Sequence, residues 1–252
     1  MHVLSSLAFW AFFAASCFVF FFVALALFLV TWPFDRARRV LHLFSCFWAQ
    51  LYFYVNPHWS LKVEGREHLP WRGAAVLVSN HESLGDILAL FGLYRPFKWV
   101  SKASVFKVPF LGWNMTLNGY VPLLRGDAQS VSRMLDHCDR WLSRGVPVLM
   151  FPEGTRSADG EVKAFKDGAF RMAVKQGCPV IPIAISGMRT SLPKHGFVIR
   201  QSVHCVVRVL APLDPAAFGN DVAALRDAVR EQIITAKRDI DATRELAATR
   251  GA

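Results

Sequence analysis

Two short segments carry the side chains able to do chemistry. The first is Ser79-Asn80-His81-Glu82-Ser83-Leu84-Gly85-Asp86, lying between apolar runs at 74–78 and 87–93. A strand that opens onto a helix is where α/β folds place reactive groups. His81 and Asp86 are five residues apart, and five helical steps turn the chain about 140° past a full turn, so the two cannot share a helix face. They can meet if His81 lies in the loop and Asp86 starts the helix, where the dipole favours a carboxylate. Asp86 would then accept from one ring nitrogen of His81 and leave the other as a general base. A plainer reading makes Asn80 and Asp86 helix caps and His81 a loop residue. The second segment, Phe151-Pro152-Glu153-Gly154-Thr155-Arg156-Ser157, follows the apolar run 146–150. Pro152 ends the ladder by removing a donor, and Gly154 permits a positive φ close to a ligand. The hydroxyl, guanidinium and hydroxyl that follow suit an anion with several oxygens, because Arg presents a rigid fork of donors. A solvated turn would have the same composition.

These loops need elements to hold them. Short β-rich runs at 61–65, 74–79, 98–101, 120–124, 146–151, 180–186 and 203–210 alternate with helical patterns at 84–93, 128–143 and 168–176. The last two helices end near Gly145 and Gly177, as C-caps would. Strands alternating with helices predict an α/β fold, a mixed β-sheet covered by helices. Between 221 and 249, Val222, Leu225, Val229, Ile233 and Ile240 recur among charges, which predicts one surface-docked amphipathic helix. The remaining histidines, His2, His42, His58, His68, His137, His195 and His204, have no comparable polar companions at a strand end and are read as structural.

At 252 residues the chain can hold one sizeable domain and a short appendage. No residue from 3 to 34 is charged, and 9–30 is dense in Phe, Ala, Leu and Val. About 20 such residues cross a hydrocarbon core of about 30 Å, as a helix because the backbone must satisfy itself. A cleaved signal peptide would show about 7–15 apolar residues behind a basic start, whereas only His2 precedes this run. Asp35-Arg36-Ala37-Arg38-Arg39 follows, and the positive-inside rule puts this flank, and the domain after it, on the cytoplasmic side of the inner membrane. Trp32 and Phe34 fit an interfacial aromatic belt. Residues 40–55 repeat apolar side chains at helical spacing, which predicts an interfacial helix; a core helix of the following domain, or a re-entrant hairpin with the first segment, are alternatives.

The resulting division is 1–34, transmembrane or membrane-embedded; 35–60, basic flank and interfacial helix; and 61–252, the α/β domain with its C-terminal helix. Lys and Arg outnumber Asp and Glu by 29 to 19, a net charge of +10 that suits an anionic partner. Charge alone does not choose between nucleic acid and lipid. With the apolar segment present, membrane lipids are expected and nucleic acid is not. The five cysteines are odd in number, scattered and never spaced as C-x-x-C, so neither a disulfide framework nor a metal site is expected.

Asn80-His81-x4-Asp86, with Phe-Pro-Glu-Gly-Thr-Arg-Ser following from Phe151, resembles the glycerolipid acyltransferase family that contains the 1-acylglycerol-3-phosphate acyltransferases. Two further blocks fit in order. Residues 119–125 resemble the block whose terminal arginine, here Arg125, contacts the acceptor phosphate. Val180-Ile181-Pro182-Ile183-Ala184-Ile185-Ser186-Gly187 resembles the apolar fourth block with its proline, Pro182, and Lys102 falls where such enzymes tend to carry a lysine. The resemblance covers residues 61–212. It departs at Leu124, where many phosphatidate-forming members have an aspartate, and this keeps glycerol-3-phosphate or an amine-containing lysolipid open as acceptor.

The resemblance implies transfer of a fatty acyl group from a thioester, on coenzyme A or acyl carrier protein as co-substrate and with no cofactor, to the free hydroxyl of 1-acylglycerol-3-phosphate. His81 would be the base and Asp86 would fix its tautomer, as in a serine hydrolase triad whose nucleophile is supplied by the substrate. Lys102 or loop amides would face the oxyanion. Asn80, Glu153, Gly154, Thr155, Arg156 and Arg125 would hold the acceptor. A lipase or thioesterase would need a protein nucleophile, and no G-x-S-x-G occurs. A non-catalytic membrane-binding protein would not need His81 and Asp86.

Overall fold

An apolar run without internal charge leaves the backbone to satisfy its own hydrogen bonds, and α1 (His2–Thr31) is the resulting 30-residue helix. The computed structural model describes residues 2–157, 159–189, 191 and 202–250; His195 lies outside the described residues. Residues 6–31 are long and apolar enough to cross a membrane. After a turn in which Arg38 adopts φ 55°, α2 (Arg39–Tyr54) runs back antiparallel to α1. The Ser16 and Tyr52 hydroxyls lie 2.6 Å apart, and Phe20 meets both Phe44 and Trp48. One face of α2 is core, with Leu41, Cys46 and Tyr52 buried, while Val40, Phe47 and Tyr54 on the other stay exposed. The core-helix alternative therefore describes one face of α2, and its other face carries exposed apolar side chains.

Seven strands form one mixed sheet in the order β1-β7-β6-β2-β5-β3-β4. They are β1 (Trp59–Glu64), β2 (Val76–Ser79), β3 (Lys98–Lys102), β4 (Val121–Leu123), β5 (Val148–Met150), β6 (Val180–Ser186) and β7 (Val203–Val209). From β4 to β6 the neighbours are parallel; β7 is antiparallel to β6, and β1 is parallel to β7. The helices are α3 (Gly85–Phe91), α4 (Leu111–Leu117), α5 (Ala128–Leu142), α6 (Gly168–Gln176) and α7 (Val222–Arg250).

Because strand side chains alternate, Val76 and Val78 of β2 point to one face and Leu77 to the other. The first face packs on α5, α6 and α7 through Met134, Phe170 and Leu225. The second packs on α2 and α3 through Phe53 and Leu90. Leu225, Val229, Ile233 and Ile240 of α7 are buried while most of the residues between them are exposed or half-buried, so this helix docks one apolar stripe on the sheet as its pattern predicts.

Candidate active site

The five parallel strands all end at the same edge of the sheet, and the expected chemistry gathers there. β2 runs directly into the first loop, where Asn80 is buried. Its amide donates to the Ile185 carbonyl and accepts from the Ile185 N–H, both at 2.9 Å, fastening the loop to β6. His81 comes next, only 5% exposed. Its Nδ1 lies 2.8 Å from Asp86 Oδ2, and the same oxygen accepts from the backbone N–H groups of Glu82 at 2.6 Å and Ser83 at 2.9 Å. Asp86 stands in the first turn of α3 but folds back onto the loop. A carboxylate facing Nδ1 requires the hydrogen to be on Nδ1, which leaves Nε2 with a lone pair to take a proton.

The second loop completes the cage around His81. The Phe151 ring stacks on the imidazole, with centroids 3.9 Å apart and planes 11° from parallel. Glu153 Oε1 accepts from the His81 N–H at 2.8 Å, and Glu153 Oε2 accepts from the Lys163 N–H at 3.1 Å. The Ser157 N–H donates to the His81 carbonyl at 2.7 Å. Burial pushes the Glu153 carboxyl above its ordinary value, opposed by the Lys163 and His81 amides. Both Glu153 oxygens are thus spent on backbone, which departs from the expectation that Glu153 touches an acceptor: a carboxylate sunk this way braces one loop on the other.

Gly154 turns the chain at φ 73°, with Lys166 Nζ 3.0 Å from where a Cβ would stand. Thr155 beyond it is exposed and Arg156 half-buried. Among the described residues no carboxylate lies within ion-pairing distance of Arg156. Ser157 Oγ instead donates to Asp159 Oδ1 at 2.7 Å.

Lys102 ends β3 and Arg125 follows β4, both exposed at the same edge. With β5 between β2 and β3, they stand two and three strands from β2, laterally roughly 10 and 14 Å. Neither touches the His81–Asp86 pair. Leu124 is 52% exposed beside Arg125, and its N–H donates to Ser130 Oγ at 2.9 Å. Pro182 is not at this edge. It lies inside β6 opposite Val78, buried, so it is a packing residue of the sheet rather than a lining residue of the site. Its missing N–H falls between the isolated bridge Val180↔Leu213 and the start of the β6–β7 ladder at Ile183↔Val209, where no ladder bond is lost.

The stacking of Phe151 and the bracing by Glu153 went unread in the sequence, because neither has a spacing signature: they depend on β5 lying beside β2.

The Acyltransferase family model matches residues 60–186, half of the chain, and the match includes both loops. A chloroplastic 1-acyl-sn-glycerol-3-phosphate acyltransferase of Arabidopsis thaliana is 43% identical over 162 residues, 64% of this chain and 45% of that protein. The mouse 1-acyl-sn-glycerol-3-phosphate acyltransferase alpha is 34% identical over 186 residues, 71% of this chain and 64% of the relative. The chain thus spans about half the length of the plastid relative and somewhat more of the mouse one. The crystal structure of the 1-acyl-sn-glycerophosphate acyltransferase of Thermotoga maritima superposes with a TM-score of 0.77 at 26% identity, covering 96% of this chain and 98% of that one. A histidine–aspartate pair caged at a parallel edge, within a matched segment of this extent, makes the chain a member of the acyltransferase family.

Proposed function

We propose that this protein transfers a fatty acyl group from a thioester to the free hydroxyl of 1-acylglycerol-3-phosphate, forming phosphatidic acid. The observation that carries the reading is the 2.8 Å contact between His81 Nδ1 and Asp86 Oδ2, which leaves Nε2 to act as base. An alcohol is a weak nucleophile near neutral pH, and a positioned base contributes about 10²–10⁴ in rate. The acceptor oxygen bonds to the thioester carbonyl carbon as its proton passes to Nε2. The tetrahedral intermediate then collapses, the carbon–sulfur bond breaks, and the thiolate takes the proton back from the imidazolium. No acyl-enzyme forms and no cofactor is consumed.

Lys102 or a loop amide stabilises the oxyanion, and Arg156, Thr155 and Arg125 hold the acceptor phosphate, with Gly154 shaping the loop. Asn80 and Glu153 keep the two loops in register. The donor is coenzyme A or acyl carrier protein. α1 and the exposed face of α2 anchor the enzyme to the inner membrane, with the α/β domain on the cytoplasmic side and lipids as its partners.

The test is the purified protein with an acyl thioester and a panel of acceptors, products resolved by mass. The panel includes glycerol-3-phosphate and an amine-containing lysolipid, because Leu124 places no carboxylate beside Arg125. Transfer to 1-acylglycerol-3-phosphate above the others supports the reading, and absence of transfer to any of them rejects it.

A further inference from the structure

Behind the reactive loop runs a second polar chain, assembled from three elements. Glu82, between His81 and Asp86, turns its side chain inward, 4% exposed, with Oε1 3.2 Å from Lys237 Nζ on α7. Lys237 Nζ also donates to Asp241 Oδ2 at 2.7 Å, one turn further along. Asp241 Oδ1 accepts from the Ser186 hydroxyl at the end of β6, and Arg244 Nη1 donates to that hydroxyl at 3.1 Å. One helix thereby grips both the loop after β2 and the end of β6.

Glu82 is itself joined to the reacting pair, since its N–H donates to Asp86 Oδ2 at 2.6 Å. Two carboxylates therefore share one buried loop, and Asp86 Oδ1 has no hydrogen-bond partner among the described residues. The titratable groups around Glu82 are His81 and Asp86 of its own loop, Cys205 of β7, and Lys237, Asp241 and Arg244 of α7. Among the described residues Lys237 is the only cation in ion-pairing reach of Glu82. Burial pushes the Glu82 carboxyl up to about 7, with Lys237 pulling it down and Asp86 pushing it further up. Removing one partner of such a buried pair strands the other, which is costly where a neutral side chain would not be. A stranded Glu82 either takes up a proton, as a carboxyl already held near 7 readily does, or stays ionised and swings toward solvent, and in the second case its N–H leaves Asp86.

We propose that Lys237 is a positioning residue of the acyl-transfer site: by holding Glu82 it keeps the His81–Asp86 turn in its reactive geometry, so the C-terminal helix is part of the catalytic apparatus. The inference rests on the acyltransferase function proposed above for His81 and deepens it.

The experiment is a double-variant cycle with Lys237→Met, Glu82→Gln and both together. In K237M, kcat falls about 100-fold, the scale of a displaced reacting group, while KM for thioester and acceptor changes little. In E82Q/K237M most of the lost kcat returns, because an amide needs no counter-ion. Melting temperatures of the four proteins are non-additive in the same sense. A K237M enzyme that folds and turns over within about twofold of wild type overturns the inference, as does a double variant no faster than K237M. A wild type that acylates no acceptor rejects the proposed function alone. The melting cycle still reads the pair in that case, and additive shifts overturn the inference.

Discussion

The loops after β2 and β5 lie side by side and do opposite things with their polar groups. In the first, His81 is held at every point of contact: Nδ1 by Asp86, the ring face by Phe151, the N–H by Glu153 and the carbonyl by the Ser157 amide. In the second, Thr155 stands exposed and, among the described residues, the Arg156 guanidinium has no carboxylate to occupy it. In the function proposed above, the proton-transfer groups are built before substrate arrives, whereas Thr155 and Arg156 are left open for an anion to complete. Preorganisation is worth most where charge develops during reaction, so the chain spends its buried hydrogen bonds on His81 and leaves recognition to side chains that can adjust.

The widest break in this contrast is His81→Ala. Turnover should fall about 10²- to 10⁴-fold, with membrane association and folding unchanged by sedimentation and circular dichroism. A well-folded variant with near-normal turnover would show that the caged loop is only structural. Asp86→Asn keeps the shape and can set its carbonyl oxygen against Nδ1 and the Glu82 and Ser83 amides, but it removes the charge that fixes the tautomer and stabilises the imidazolium; turnover should drop about 100-fold or more, with a lower melting temperature, since three donors lose an ionised acceptor. Activity lost without a change in melting temperature would mean that the loop does not depend on this carboxylate for its shape.

On the open side, Arg156→Ala removes charge-assisted hydrogen bonds worth about 1.5–3 kcal/mol, so efficiency with the acceptor should fall roughly 10- to 100-fold. The loss should sit in KM for the phosphate-bearing acceptor, and Arg156→Lys should recover only part of it, because an ammonium lacks the planar fork. Equal losses with phosphate-free acceptors would erase the distinction between the two loops. Thr155→Val should cost least: one neutral hydrogen bond of about 0.5–1.5 kcal/mol, or roughly a 2- to 10-fold rise in that KM. A fall in kcat instead would move Thr155 to the reactive side.

Periodicity located most elements closely. α6 and β6 occupy the residues that their patterns indicate, because Gly177 closes the one with φ 58° and the other is an unbroken apolar run buried on both faces. α4 was not legible. It is seven residues long and begins after Phe110, whose φ of 60° no sequence signal marks. Pairing was not legible either: β1 precedes β2 in the chain yet sits beside β7, a choice made by the whole sheet rather than by either strand. At the site, the meeting of His81 and Asp86 followed from spacing and loop placement, and the departure of Glu153 from its expected role did not. An acidic residue in a glycine-bearing loop reads as a ligand contact, and only the register of β2 against β5 shows that two backbone amides already claim it. The Lys237–Glu82 pair was hidden for the same reason, since α7 advertises its apolar stripe and says nothing of what its polar face reaches.

The pairing of β1 with β7 also sets a clock. Glu64 and Arg208 lie 144 positions apart, yet they close a 2.7 Å ion pair across the two strands, and among the described strands β1 pairs with β7 alone. A ribosome adding about 5–20 residues per second needs roughly 7–30 s to travel that distance. Throughout the interval the row of N–H and C=O groups along β1 that faces β7 stays unmatched. An open edge is a template for mispairing with any neighbouring chain. With the membrane placement proposed above, capture of α1 can precede closure of the sheet, and a ribosome stalled ahead of β7 would leave an anchored chain with its edge still exposed.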